Sequence, residues 1–307
     1  MTRIFVTGAT GYLGRALVER LRRDGHDVTG VGSKDADLTR EGTLERFSPL
    51  KVDRIFHLAA WTQAGDFCLS HPADQWLINQ AMNTHVLAWW HARQPQAKLI
   101  SIGTSCSYAP DLPLEESWYL KGEPIEDLRT YAMTKRMLLI GQQGLSRQYG
   151  LKYLTVVPST LYGPGYHARG KQLHFVFDLI RKILRWRSGG EPAVLWGTGE
   201  QRRELVYIDD FISALLGLVD TVDNDLVNIG AGEDHSIREF AGMICDIAGA
   251  DPSAIRFDPT RYVGAASKKL DVAKLATLLP GRSMLSLREG LARTIAWIRA
   301  HPEWADQ

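Results

Sequence analysis

The chain alternates between short apolar runs of four or five residues and longer stretches whose apolar positions recur every three to four residues, the periods of buried strands and amphipathic helices. Strands are predicted at 4–7, 28–31, 54–57, 98–102 and 226–229. Helical spacing is read at 15–24, through Ala16, Leu17, Val18 and Leu21, then at 41–47, 72–93, 131–148 and from Phe211 onward. Strands and helices taking turns predict an α/β fold, a parallel sheet with helices on both faces. Trp76, Trp89 and Trp90 in the 72–93 stretch read as packing or helix–helix contact, because no basic residues interleave with them as a base-stacking surface requires. Asp209 or Asp210 is expected to cap the helix from Phe211.

Between the first strand and the first helix lie Gly8, Thr10, Gly11, Tyr12, Leu13 and Gly14. Glycines in a strand-to-helix turn let the backbone turn tightly and approach a pyrophosphate, whose charge then meets free N–H groups at the helix N-terminus. The turn therefore predicts dinucleotide binding. Residues at the end of the second strand face the adenine ribose in such folds; Ser33 and Lys34 suit a 2′-phosphate and so NADP, while the nearby Asp35 keeps NAD open. Asp37, followed by Leu38, is placed to meet the adenine amino group or, alternatively, to cap its own turn. Leu58, Ala59 and Ala60 close the strand at 54–57 with residues small enough for a cofactor to lie against, and His57 reads as structural.

Composition narrows the class without changing it. At 307 residues the chain exceeds the size at which a single core stops growing, about 250–300 residues, so a larger and a smaller lobe are expected. With no repeat, low-complexity tract or linker, the lobes should be interleaved. The 36 basic and 35 acidic residues argue against nucleic acid or an anionic membrane as partner, and any bound anion must be met locally. Cys68, Cys106 and Cys245 show neither close pairing nor metal spacing, so no metal site is expected and a reducing compartment is implied. The chain enters a strand at once and no apolar run approaches about 18 residues, which predicts a cytoplasmic protein.

Two further stretches carry chemistry. Gly103 to Pro110 follows a strand end, where ligands of parallel sheets gather, and supplies Thr104, Ser105 and Cys106. Tyr131 and Lys135 are four apart on one helical face, and a phenol titrating near pH ~10 is helped as an acid or base by a neighbouring ammonium.

With the glycine turn, Thr104 and the Tyr131/Lys135 pair in place, the sequence resembles the extended short-chain dehydrogenase/reductases over essentially its whole length. The resemblance implies a Rossmann-type doubly wound parallel sheet with a smaller α/β substrate-binding lobe. Residues 1–165, rejoined by about 205–231, would bind the dinucleotide, and 166–204 with 232–307 the substrate. It also implies that Thr104 holds a reacting carbonyl, Tyr131 is the proton donor and Lys135 binds the cofactor ribose. Pro158, Thr160 and Leu161 would lie beside the nicotinamide, with Thr160 where the family pattern has asparagine. The stretch Gly-Thr-Ser-Cys-Ser-Tyr is similar to that of the GDP-L-fucose synthases, which pair the cysteine with a histidine ahead of an aliphatic and basic helix; the stretch starting at Lys171 supplies His174 in that register, and His167 is an alternative. The same similarity points to Trp196, Arg203 and Asp271 as substrate contacts, and to a homodimer formed through helices 72–93 and 131–148. Some of Arg181, Lys182 and Arg203 would meet a diphosphate, although Arg181, Lys182, Arg185 and Arg187 equally make a soluble helix face.

A thiol and an imidazole both titrate within a few units of neutrality and suit proton exchange at the acidic carbons beside a ketone, so Cys106 and His174 would invert a carbon of a nucleotide-linked 4-keto sugar. Hydride from the nicotinamide and a proton from Tyr131 would then reduce C4. The residues also fit a plain 4-ketoreductase, an NAD-retaining 4-epimerase, or a dinucleotide-sensing protein without turnover. Ser105-Cys106, in place of the acidic pair of the dehydratases, argues against dehydration.

Overall fold

The computed structural model describes residues 1–63, 67–167, 172–260 and 266–304. In chain order, β1 (Arg3–Thr7), α1 (Tyr12–Arg23), β2 (Asp27–Val31) and β3 (Arg54–His57) are followed by α2 (Phe67–Ser70), α3 (Pro72–Arg93), β4 (Lys98–Ile102), α4 (Arg129–Tyr149) and β5 (Tyr153–Pro158). Next come β6 (Thr160–Tyr162), α5 (Phe175–Arg187), β7 (Val194–Trp196), β8 (Arg202–Arg203), β9 (Leu205–Tyr207), α6 (Ile208–Val219) and β10 (Asp225–Ile229). The chain finishes with β11 (His235–Ser236), α7 (Ile237–Ala248), β12 (Arg256–Asp258), α8 (Ala273–Leu278) and α9 (Leu287–Ala300).

Six strands pair in parallel in the order β2-β1-β3-β4-β5-β10. Their sequences are nearly continuous apolar runs because both faces are covered. Alternate side chains divide between two cores: Ile4 and Val6 meet Leu17 and Leu21 of α1 and Phe211 and Leu215 of α6, whereas Phe5 meets Val86, Trp89 and Trp90 of α3 on the other face. Strand order reverses between β1 and β3, and the carboxyl ends of these strands border the crevice where such sheets bind ligands. A third core joins α5, α7 and α9 through Val176, Ile180, Phe240, Ile244, Leu291 and Ile295. Three two-stranded ladders, β6 with β9, β7 with β12 and β8 with β11, lie at its side of the molecule. Among the described residues no helix is long and apolar enough to cross a membrane.

Two expectations change and one strand is added. The helical spacing at 41–47 does not form an α-helix. Gly42 has φ +74° and Pro49 lies inside the only helical segment here, a 3₁₀ turn over Glu45–Leu50. The helix expected from Phe211 starts at Ile208, so Asp209 and Asp210 occupy its first turn rather than its cap. Tyr207 takes the cap position without a side-chain bond, and an Asp210 carboxylate oxygen accepts the Leu285 N–H at 2.8 Å instead, tying α6 to the approach to α9. The added strand, β5, comes from Tyr-Leu-Thr-Val-Val-Pro, an aromatic and β-branched run buried along almost its whole length.

Candidate active site

The glycine turn is required by how closely backbone meets backbone. Gly8 has φ +68°, and a Cβ there would stand 2.7 Å from the Ala59 nitrogen; a Cβ on Gly14 would stand 2.1 Å from the Gly8 carbonyl oxygen. Side chains at these positions would push α1 and the end of β3 off the turn. Gly11 sits at the N-cap of α1 with no side-chain cap bond, leaving the first-turn N–H groups for an anion. Thr10 is exposed at the turn, and Leu13 packs on the first core. The Tyr12 ring leaves the turn and packs edge-on to Tyr166 at 5.2 Å, so any cofactor contact from Tyr12 is through its backbone.

At the end of β2, Ser33 and Lys34 are exposed. The Asp35 carboxylate accepts the Gly32 N–H at 2.9 Å, which folds the acidic group back onto its own turn. Asp37 caps its turn: one oxygen accepts from the Thr39 N–H at 3.1 Å and hydroxyl at 2.6 Å, and these bonds hold the carboxyl below its usual range. Leu38 is buried, with its carbonyl bonded to His85 at 2.9 Å.

A directional chain of buried bonds runs from this edge to α4. The Ala59 N–H donates to the Thr7 hydroxyl at 3.3 Å, and the hydroxyl lies 2.8 Å from His57 Nδ1. His57 Nε2 lies 3.1 Å from the Asn83 side-chain oxygen, while the Asn83 amide donates to the Thr134 carbonyl at 3.3 Å. Because Asn83 already donates toward α4, its oxygen must accept, which assigns the proton to Nε2 and makes Nδ1 the acceptor for Thr7. Burial pushes the His57 pKa down to about 4, with a smaller contribution from the nearby Lys135 charge. Leu58 and Ala60 flank Ala59 at this strand end and are half-buried.

Thr104, nearly buried, receives the Cys106 N–H on its hydroxyl at 3.3 Å, and its own N–H donates to the Tyr119 hydroxyl at 3.3 Å. The Thr104 side chain also lies near the Tyr131 phenol, whose pKa burial raises well above the ordinary value. Lys135 is buried, and desolvation pushes its pKa down to about 8. Its ammonium has no carboxylate partner among the described residues. Cys106 and Ser105 are half-exposed, and the Cys106 Sγ lies 3.5 Å from Lys268 Nζ. The glycine cradle and the buried Lys135 thus fit a dinucleotide.

His174 stands at the N-cap of α5, its carbonyl accepting from Phe177 and Asp178 at 3.0 Å each. Its ring faces Tyr166 at 6.1 Å; the residue is exposed, and desolvation by the neighbouring protein lowers its pKa. Lys171 lies outside the described residues. His167 packs on Trp297 at 5.4 Å, against α9. Pro158 ends β5 opposite Ile229, and Thr160 and Leu161 pair with Leu205 and Val206. Trp196 is exposed on β7, and Arg203 on β8 donates to the Arg202 carbonyl at 2.7 Å. Asp178 holds both Arg181, at 2.7 Å, and Lys182, at 2.9 Å, so these cations have an internal partner. Arg187 bonds the Gly249 carbonyl at 2.9 Å, and Asp271 caps the start of α8 through the Ala273 N–H at 2.8 Å.

The sequence profile of the NAD dependent epimerase/dehydratase family matches residues 4–230. The chain belongs to this family. It is therefore an NAD(P)-dependent enzyme, and the epimerase/dehydratase relatives align along nearly its full length. GDP-L-fucose synthase 1 of Arabidopsis thaliana is 31% identical over 304 residues, covering 96% of this chain and 92% of the relative. A crystal structure of a GDP-L-fucose synthetase from Naegleria fowleri bound to NADP has a TM-score of 0.87 at 24% identity, covering 100% of this chain and 96% of that one. A GDP-6-OMe-4-keto-L-xylo-heptose reductase from C. jejuni has a TM-score of 0.88 at 21% identity, covering 97% and 98%. These two structures share the epimerase/dehydratase fold.

Sequence reasoning did not single out Asn83 or Tyr119, and it took Lys268 only as part of the late stretch, ending in Asp271 and Val272, that is similar to the substrate lobe of the GDP-L-fucose synthases. The signal for Asn83 was available: Gln75, Asn79 and Asn83 recur every four residues on α3 and are buried, a polar stripe that an outward helix face does not need. Lys268 is 162 residues from Cys106 along the chain, and no local spacing joins them.

His57 gives a pH dependence of known sign. Its folded pKa is depressed, so the stability it contributes is present above the unfolded value near ~6.5 and is lost as pH falls toward the folded value. In urea denaturation at a series of pH values, the advantage of the parent over His57→Gln should shrink by up to about 3 kcal/mol between roughly pH 7 and pH 4. A pH-independent difference would mean that His57 is not held neutral.

Proposed function

We propose that the protein catalyses NADPH-dependent epimerisation and C4 reduction of a nucleotide-linked 4-keto-6-deoxy sugar. The observation that carries this reading is the turn after β4, where the Thr104 hydroxyl, near the Tyr131 phenol of α4, accepts the Cys106 N–H at 3.3 Å and the Cys106 thiol is half-exposed. A ketone oxygen site and an acid/base thiol are thereby joined in one loop.

Gly8, Gly11 and Gly14 would hold the pyrophosphate at the start of α1, and Lys135 the ribose. Exposed Ser33 and Lys34, next to an Asp35 already engaged by Gly32, support a 2′-phosphate and hence NADP. Bound there, NADPH supplies the hydride for C4. Hydrogens on the carbons beside a 4-ketone are acidic because the enolate charge reaches the ketone oxygen. Thr104 and Tyr131 are placed to hold that oxygen as it gains charge. Cys106 and His174 exchange the proton at carbon. Tyr131, kept protonated at neutral pH by burial, delivers a proton to the oxygen during reduction. The lobe around the third core receives the nucleotide, with Trp196 and Arg203 as its contacts; Lys182, paired with Asp178, and Asp271, engaged as a cap, are secondary.

We also read the protein as a cytoplasmic homodimer. Trp76 and Leu77 on α3 and Met137 and Ile140 on α4 are exposed by 40%, 65%, 36% and 45%, an apolar face that two copies of the helix pair would cover. Light scattering should give a dimer for the parent and a monomer for Leu77→Asp/Ile140→Asp; a monomeric parent would refute the assembly.

The catalytic reading is tested with GDP-4-keto-6-deoxymannose and NADPH in deuterated water. Loss of reduced-nicotinamide absorbance together with deuterium at C3 or C5 of the product is expected, with Cys106→Ser suppressing the deuterium by roughly a hundredfold or more. Consumption without deuterium would leave a plain reductase, and an absence of consumption with any nucleotide-linked 4-keto sugar would overturn the reading.

A further inference from the structure

The late segment on either side of Lys268 is fastened to the rest of the molecule by bonds that have no bearing on secondary structure. On one side, the Arg202 N–H donates to the Ala266 carbonyl at 2.8 Å and the Ser267 hydroxyl to Asp234 at 3.0 Å. On the other, the Leu270 N–H donates to the Glu204 carboxyl at 2.9 Å, the Asp271 N–H to the Leu114 carbonyl at 3.0 Å, and the Asn228 amide to the Asp271 carbonyl at 3.0 Å. Glu204 is itself buried and also accepts from the Gly232 N–H at 2.8 Å; Asn228 is buried and receives the Tyr108 hydroxyl at 2.6 Å. The result is that a long, flexible side chain is launched from a fixed point and ends 3.5 Å from the Cys106 sulfur.

We infer that Lys268 is a positioning residue for Cys106: its ammonium donates to Sγ at 3.5 Å and stabilises the negative charge that develops there as the sulfur exchanges a proton with substrate. This rests on the proposed role of Cys106. A lysine beside a thiol favours the anionic sulfur, the form that acts as base and nucleophile. Tyr131, Tyr119 and Cys68 also face Cys106, and burial raises the pKa of all three, so they meet it as neutral groups. The positive charge at Sγ is therefore supplied from the Lys268 side. In the step that follows, the thiolate takes the proton from the carbon beside the ketone; the S–H bond forms, the C–H bond breaks, and its electron pair passes to the ketone oxygen at Thr104 and Tyr131. A neutral amide or an alkyl chain in place of the ammonium would remove that stabilisation.

Alkylation of Cys106 by iodoacetamide tests this without substrate or cofactor, with the modified cysteine identified by mass spectrometry. Buried Cys68 and Cys245 are separated from half-exposed Cys106 by the same readout. At about pH 7, Lys268→Met and Lys268→Gln should slow Cys106 alkylation roughly tenfold and move its pH profile upward, while Lys268→Arg restores most of the parent rate. The thermal melt of each variant shows whether it is folded, and two neutral variants keep the comparison available if one is not. Parent-like rates and pH profiles in the folded neutral variants would overturn the inference. If the alkylation shift is seen while no keto sugar exchanges deuterium, the pairing stands and the functional reading fails.

Discussion

Everything at the carboxyl edge of the sheet depends on main chain meeting main chain without an intervening Cβ. Gly8 turns against the end of β3 and Gly14 against Gly8, at separations that leave no room for even a methyl group. That contact sets where α1 begins and aims its unpaired N–H groups across the sheet edge. It also brings Ala59 to Thr7, the first link of the buried chain through His57 and Asn83 to Thr134, one residue before Lys135. The turn that would receive a pyrophosphate and the helix that carries Tyr131 and Lys135 are thus held in register by a single polar relay. Neutral histidine suits the relay because it donates at one nitrogen and accepts at the other.

A second constraint works between cores. Glu204 joins the Leu270 N–H of the late segment to the Gly232 N–H, and Asn228 joins the Asp271 carbonyl to the Leu114 carbonyl and the Tyr108 hydroxyl. Burial pushes the Glu204 pKa up to about 7 against the pull of these N–H groups. The cost of placing a carboxyl there is met by fixing a loop that no strand or helix would otherwise fix. Lys268 is consequently brought to Cys106 from 162 residues further along the chain.

What the sequence made legible is what depends on local period and local spacing. β3, α3 and β4 fall where the apolar pattern places them, as does the glycine turn into α1, and Tyr131 and Lys135 share a helix face because four residues make about one turn. Asp37 is legible as a turn cap for the same reason, since its partner is two residues away. The 41–47 stretch misled because apolar spacing says nothing about a glycine with positive φ followed by a proline. Asp209 and Asp210 misled because a helix can start on an uncapped tyrosine when the acidic side chain has a tertiary partner. Lys182 looked available for a diphosphate, yet Asp178 lies one turn before it. The contacts made by Lys268, Glu204 and Asn228 span 162, 66 and 114 residues, and only the folded chain joins them.

In the proposed reaction one oxygen site, Thr104 with Tyr131, serves both the proton exchange at carbon and the reduction at C4. The direct measurement is deuterium exchange into GDP-4-keto-6-deoxymannose by Tyr131→Phe in deuterated water, with NADP present in place of NADPH so that no reduction occurs. If the oxygen site is shared, exchange falls by roughly a hundredfold or more relative to the parent, because the enolate loses a donor. Exchange at the parent rate would contradict it, and would assign Tyr131 to the reduction alone.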